Sequence, residues 1–115
     1  MIKEAYCSFE VAKLLKEKGF DEVCDLYYPK EGGDIEGLSL DELNYLYNNF
    51  IKAPTHQLAM AWLREKGFHI YTFHIKLWNF EIQNLNEDWT YSKTGYKSHE
   101  DAIEAACIYV LTNLI

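Results

Sequence analysis

The stretch Phe68-His69-Ile70-Tyr71-Thr72-Phe73-His74-Ile75-Lys76-Leu77-Trp78-Asn79-Phe80-Glu81-Ile82-Gln83-Asn84-Leu85 decides the fold. Before it, apolar residues recur at helical spacing. From Phe68 onward the period becomes two, and β-branched and aromatic residues dominate, which is the pattern of strands with one packed face. Two strands are predicted, Phe68 to Ile75 and Leu77 to Leu85, with Trp78, Phe80 and Ile82 sharing one face of the second. The turn near His74 to Lys76 lacks Gly, Asn or Asp. Asn84 to Asp88 is a clearer turn, and Trp89 to Thr94 reads as a third strand ahead of Gly95.

Working outward, Ser98-His99-Glu100-Asp101 has the form of a helix N-cap, with Asp101 in place of the usual Glu. Ile103, Ala106, Cys107, Val110 and Leu114 follow in one stripe, widened by Ala102, Ala105, Tyr109 and Leu111. So broad an apolar surface calls for a helix lying on the sheet. Upstream, Ser8 is an N-cap for a helix from about Phe9 to Lys18, and Gly19 stops it, with Phe20 folding back on Leu15. The ending recurs in Trp62-Leu63-Arg64-Glu65-Lys66-Gly67-Phe68, so one helix stop is used twice. Thr55 caps that later helix, marked by Leu58, Ala59, Trp62 and Leu63. Between them, Val23 to Tyr28 reads as a short extended segment or edge strand broken by Pro29, and Lys30 to Gly37 as a solvated loop. Ser39-Leu40-Asp41-Glu42 is a capping box for a further helix with Leu43, Leu46, Tyr47 and Phe50 on one face. The expected fold is α+β: three N-terminal helices, then an antiparallel sheet of about three strands with the C-terminal helix packed on it, in one domain spanning 1–115.

The 115 residues suit one core, and the 49% hydrophobic, 25% charged balance is that of a folded chain. No apolar run approaches the roughly 20 residues of a membrane span, and Met1-Ile2-Lys3-Glu4-Ala5 is no secretory signal, so a cytoplasmic protein is expected. Cys7, Cys24 and Cys107 are odd in number and form no Cys-x-x-Cys pair, the pattern of reduced thiols. Eight acids stand against one base between Asp21 and Glu42, so this segment carries the whole net charge of −7. A partner steered by charge would be basic or a cation. Phosphate-backbone binding is disfavoured, because no basic stripe is visible; a patch would have to assemble from Lys13, Lys16, Arg64, Lys93 and Lys97.

Among chemically capable residues, His69 and His74 are five apart on a strand and point to opposite faces, while His56 and His99 both sit in helix entrances. A zinc site would have to assemble in space from Cys7, Cys24 and a histidine. Cys7, just before the first helix, is the one cysteine placed to become a stabilised thiolate. Asp34/Glu36 and Asp41/Glu42 are acidic pairs without the order of a calcium loop. No enzyme signature occurs, and neither a catalytic residue nor a cofactor is expected. The combination of Tyr27, Tyr28, Tyr45 and Tyr47 with Asp34, Glu36, Asp41 and Glu42 is that of a protein-binding surface, aromatic rings for contact and carboxylates for orientation, or else of tyrosines that complete a small core with their hydroxyls in water. An excess of aromatics with an edge strand leaves monomer and homodimer both open.

Ser8-Phe9-Glu10-Val11-Ala12-Lys13-Leu14-Leu15-Lys16-Glu17-Lys18-Gly19-Phe20, Pro54-Thr55-His56-Gln57 with Trp62-Leu63-Arg64-Glu65, and the acidic-capped, alanine-rich last helix together resemble a family of small uncharacterised proteins from gut Bacteroidetes and their phages. The hairpin here has a shorter loop than that family's pattern. The resemblance implies a mobile-element setting and no catalytic residues. The expected function is a non-enzymatic, phage- or prophage-type factor that binds a host or phage protein; the alternatives are a nucleic-acid-associated accessory protein and a small enzyme whose site forms only in the fold.

Overall fold

In the computed structural model, which describes residues 2–39 and 49–115, three hydroxyl side chains start three helices. Ser8 accepts from Val11 N–H at 3.2 Å, Thr55 from Leu58 N–H at 3.1 Å and Ser98 from Asp101 N–H at 3.0 Å, each satisfying a backbone donor that the first turn leaves free. These helices are α1 (Phe9–Glu17), α2 (His56–Glu65) and α3 (His99–Asn113). Among the described residues the remaining elements are strands: β1 (Leu26–Pro29), β2 (Glu36–Gly37), β3 (Phe50–Lys52), β4 (Phe68–Ile75), β5 (Leu77–Asn84) and β6 (Trp89–Tyr96).

Two three-stranded antiparallel sheets result, ordered β2-β1-β3 and β4-β5-β6. In the second, Ile70 pairs with Ile82 and Thr72 with Phe80, which puts Phe68, Ile70, Phe80, Ile82, Trp89 and Tyr91 against the helices. α3 lies on that face, with Ala102, Ile103, Ala106, Cys107, Val110 and Leu111 all buried, and Tyr91 stacks on Tyr109 at 4.2 Å. α1 and α2 close the same core through Val11, Leu15, Ala59, Trp62 and Leu63.

The expectation of three N-terminal helices ahead of a single sheet is corrected. Among the described residues one helix, α1, precedes the first strands, and those strands form a sheet of their own. Phe50, the last residue named for the predicted helix over Leu43 to Phe50, opens β3 instead. Pro54 favours extended backbone in the residue before it, and Ile51 buries itself by pairing with Tyr28. Residues 40–48, which hold the rest of that predicted helix, lie outside the described residues. β1 is the central strand of its sheet, not an edge: Pro29 is tolerated because it is the last residue of the strand. The turn after β4 is a single residue, Lys76, at φ +64°, and β6 runs past Gly95 to Tyr96, with the register shifting at Trp78/Asn79 opposite it.

The repeated helix stop is used in both places, with Gly19 at φ +95° and Gly67 at φ +100°, and Phe20 N–H reaching Leu15 O at 3.0 Å. Tertiary surroundings separate the two copies. A Cβ on Gly19 would meet nothing within 4 Å, whereas one on Gly67 would lie 2.5 Å from Asn86 Nδ2, in a turn held by Leu85 N–H to Gly67 O at 2.8 Å. Gly19→Ala should therefore cost about 1 kcal/mol, the left-handed penalty alone, and Gly67→Ala about 2 kcal/mol. Urea unfolding of both variants checks the order, and a Gly19 variant at least as damaged as the Gly67 one would contradict it.

Candidate functional site: a buried Cys7–His56–Glu104 node and an open sheet face

Residues 5–8 run antiparallel to residues 53–56. Cys7 N–H donates to Pro54 O and His56 N–H to Ala5 O, both at 2.9 Å, around an isolated Tyr6–Thr55 bridge. This pairing sets Cys7 and His56 side by side at the starts of α1 and α2. Glu104 reaches them from α3: its carboxylate lies 2.8 Å from His56 Nε2 and accepts Ser8 N–H at 3.1 Å. One ligand-type atom from each of Cys7, His56 and Glu104 lies within 4.8 Å of the other two. The Tyr28 hydroxyl closes the node from β1, donating to Cys7 O at 2.6 Å.

Burial sets the chemistry here. Cys7 is fully buried, and desolvation, followed by its electrostatic neighbours Cys107, Glu104 and Cys24, pushes its thiol far above the ordinary range. A nucleophilic thiolate, the role considered for Cys7, needs the opposite environment. Cys107 is pushed up to about 12 by burial, then by Glu104, and Cys24 is raised chiefly by burial; all three cysteines are free and buried. For Glu104, burial acts to raise the pKa, but the hydrogen bonds from His56 and Ser8 outweigh it and hold the carboxyl below the usual range. His56 Nδ1 is buried with no hydrogen-bond partner.

Of Cys7, Cys24 and a histidine, the residues from which a zinc site would have had to assemble, Cys7 and His56 come together, with Glu104 and not Cys24 as the third member. Glu104 was not singled out from sequence, although it is the only charged residue from Ala102 to Asn113 on a helix that is otherwise apolar or neutral. That isolation was the available signal. Of the other histidines, His99 Nδ1 pairs with Thr72 Oγ1 at 2.7 Å, and His74 and His99 flank Trp78 at 5.2 and 5.3 Å.

The residues expected to form an acidic aromatic surface separate. Tyr27 is buried, and Tyr28 is half-buried with its ring edge-on to Phe9, so neither lies on an open surface. Asp34 and Glu36 are exposed. Asp41, Glu42, Tyr45 and Tyr47 lie outside the described residues. Among the described acids from Asp21 to Glu36, Asp21 has a salt bridge, to Lys52 at 2.9 Å.

A different aromatic surface comes from the alternation of β4. His69, Tyr71, Phe73 and Ile75 point away from the helices, opposite Gln83, Glu81, Asn79 and Leu77 of β5. His69–Tyr71 and Tyr71–Phe73 ring centroids are 6.0 and 6.1 Å apart, a continuous row along an edge strand. Tyr71, Ile75 and Leu77 are 36, 68 and 47% exposed, which is high for such side chains. Glu81 sits at the centre of this face, held by the Tyr71 hydroxyl and by Ser92 Oγ at 3.1 Å. The Tyr71 hydrogen bond is the main reason its carboxyl titrates below the ordinary range. Among the described residues, no helix is long and apolar enough to cross a membrane. Comparison with protein-family models, with curated proteins and with solved structures finds no match to this chain.

Proposed function

We propose that this protein is a non-enzymatic binding factor whose partner is another protein, engaged through the open face of the β4-β5-β6 sheet. The observation that carries this reading is the row His69, Tyr71, Phe73, Ile75 on an edge strand, continued by Leu77 and turned away from the core. Aromatic and aliphatic side chains in such an array supply contact energy, and the outer edge of β4, unpaired among the described residues, offers backbone hydrogen bonds to an added strand.

Charge narrows the partner. The open face carries Glu81 and no Lys or Arg, and the chain has a net charge of −7. A segment with apolar and basic side chains complements it, whereas a phosphate backbone would be repelled and a second copy would bring like charges together. The exposed Asp34 and Glu36 extend the same preference and would act mainly on the rate of association. A host or phage protein as partner, and a cytoplasmic setting, rest on the resemblance and on composition.

The test is capture of the tagged protein's partner from nuclease-treated lysate, followed by titration of the purified pair. Tyr71→Ser with Phe73→Ser should weaken binding by about tenfold or more. Replacing Asp34 and Glu36 by Asn and Gln should slow association and flatten its salt dependence. A partner whose affinity is untouched by the β4 variant, or one lost on nuclease treatment, would overturn the reading.

A further inference from the structure

We propose that Cys7, His56 and Glu104 bind a single zinc-type transition-metal dication that ties the starts of α1 and α2 to the middle of α3. Among the described residues this is the one group of three ligand-bearing side chains gathered closely enough to hold a metal ion. The three come from distant parts of the chain, at positions 7, 56 and 104, so their convergence is a product of the fold and not of local spacing.

The donor set selects the metal. A thiolate with an imidazole suits zinc and its neighbours, while magnesium and calcium take oxygen ligands alone. Donor atoms around zinc lie roughly 3.3–3.6 Å apart, from bond lengths near 2.0 Å to nitrogen and oxygen and 2.3 Å to sulfur. In this structure the atoms lie within 4.8 Å of one another, and the His56–Glu104 contact is 2.8 Å. A small inward movement of the thiol and a slight opening of the His56–Glu104 contact would complete a coordination shell, with the fourth position left to water or to Thr55 O, which lies 3.9 Å from Cys7 Sγ.

The charges also close. Metal entry displaces the Cys7 thiol proton to solvent, Glu104 enters as carboxylate, and His56 binds as neutral imidazole through Nε2, the ring proton moving to Nδ1. Two negative ligands and a dication leave no net charge, which suits an interior position. With Cys7 fully buried, the metal's role is structural, and the proposal is independent of how the β4 face is used.

The experiment is titration of the chelator-stripped, full-length protein with cobalt and then zinc. One equivalent of cobalt should produce a thiolate-to-metal charge-transfer band that zinc removes, and zinc should raise the melting temperature. Cys7→Ser should abolish the band, and Glu104→Gln and His56→Gln should each weaken binding by about a hundredfold or more. Cys24→Ser and the pair His74→Gln/His99→Gln should leave it intact. X-ray absorption of zinc-loaded wild-type protein should show one sulfur among nitrogen and oxygen ligands, a readout that survives if Cys7 variants fail to fold. No stoichiometric uptake at micromolar metal, an all-nitrogen/oxygen shell, or binding lost with the His74/His99 pair and kept in Cys7→Ser would each overturn the proposal.

Discussion

Truncating Phe80 to alanine should lower the unfolding free energy by about 4 kcal/mol. Phe80 is 1% exposed on the central strand of the β4-β5-β6 sheet, with its ring against Tyr91 and Tyr96 at 6.1 and 5.7 Å. It fills the layer between sheet and α3, where close packing prevents the neighbours from collapsing into the space it leaves. A domain of this size holds roughly 5–15 kcal/mol in total, so the loss is a large fraction and should lower the melting temperature by about 20 °C. Phe80→Leu should recover most of the loss. On the opposite face of the neighbouring strand, Tyr71→Ser should change stability by about 1 kcal/mol at most, since its ring is already partly in water. Thermal and urea unfolding of the three variants decides this. A Phe80→Ala cost below about 1 kcal/mol would refute the packed sheet-on-helix layer.

The second large effect is at Glu104, where alanine should cost about 3 kcal/mol. The loss would strand His56, 5% exposed with its other nitrogen already unpartnered, and leave the Ser8 N–H without its acceptor. The pH dependence has a definite sign. The folded-state pKa of Glu104 is depressed below its ordinary 4.5, so its stabilisation is full above that value and is lost as pH falls through the lower folded value. In metal-free wild-type protein the stability curve should therefore bend down on the acid side of pH 4.5, and Glu104→Gln should flatten that limb. Equal acid slopes in the two proteins would show that the node does not carry the acid sensitivity.

Much of the fold was legible because local rules agreed with tertiary ones. Ser8, Thr55 and Ser98 cap helices wherever a chain places them ahead of an apolar repeat, and Gly19 and Gly67 end helices because their backbone needs no Cβ. The period-two run from Phe68 marks β4 and β5, and Trp78, Phe80 and Ile82, placed together on one face of the second strand, do share the face that packs on the core. The first sheet was missed since β2 and β3 have two and three residues, too few to display a period. Phe50 was drawn into a helical pattern for the same reason. Tyr27 and Tyr28 looked like surface rings because they adjoin an acidic segment, but pairing with β3 turns one inward and brings the other's hydroxyl to Cys7 O.

By itself the sequence determined the starts and stops of α1 and α2, the start of α3, the hairpin and third strand, and the acidity of one segment. All of these rest on interactions within a few residues or on composition. Tertiary structure alone decided that Cys7, His56 and Glu104 meet and that β4 turns an aromatic row outward. Both depend on which segments lie side by side. The Tyr6–Thr55 bridge joins residues 49 apart, and the placement of α3 on one sheet face decides which side of β4 is left open; neither relation leaves a mark in local spacing, because burial of the shared core, and not any short motif, selects it.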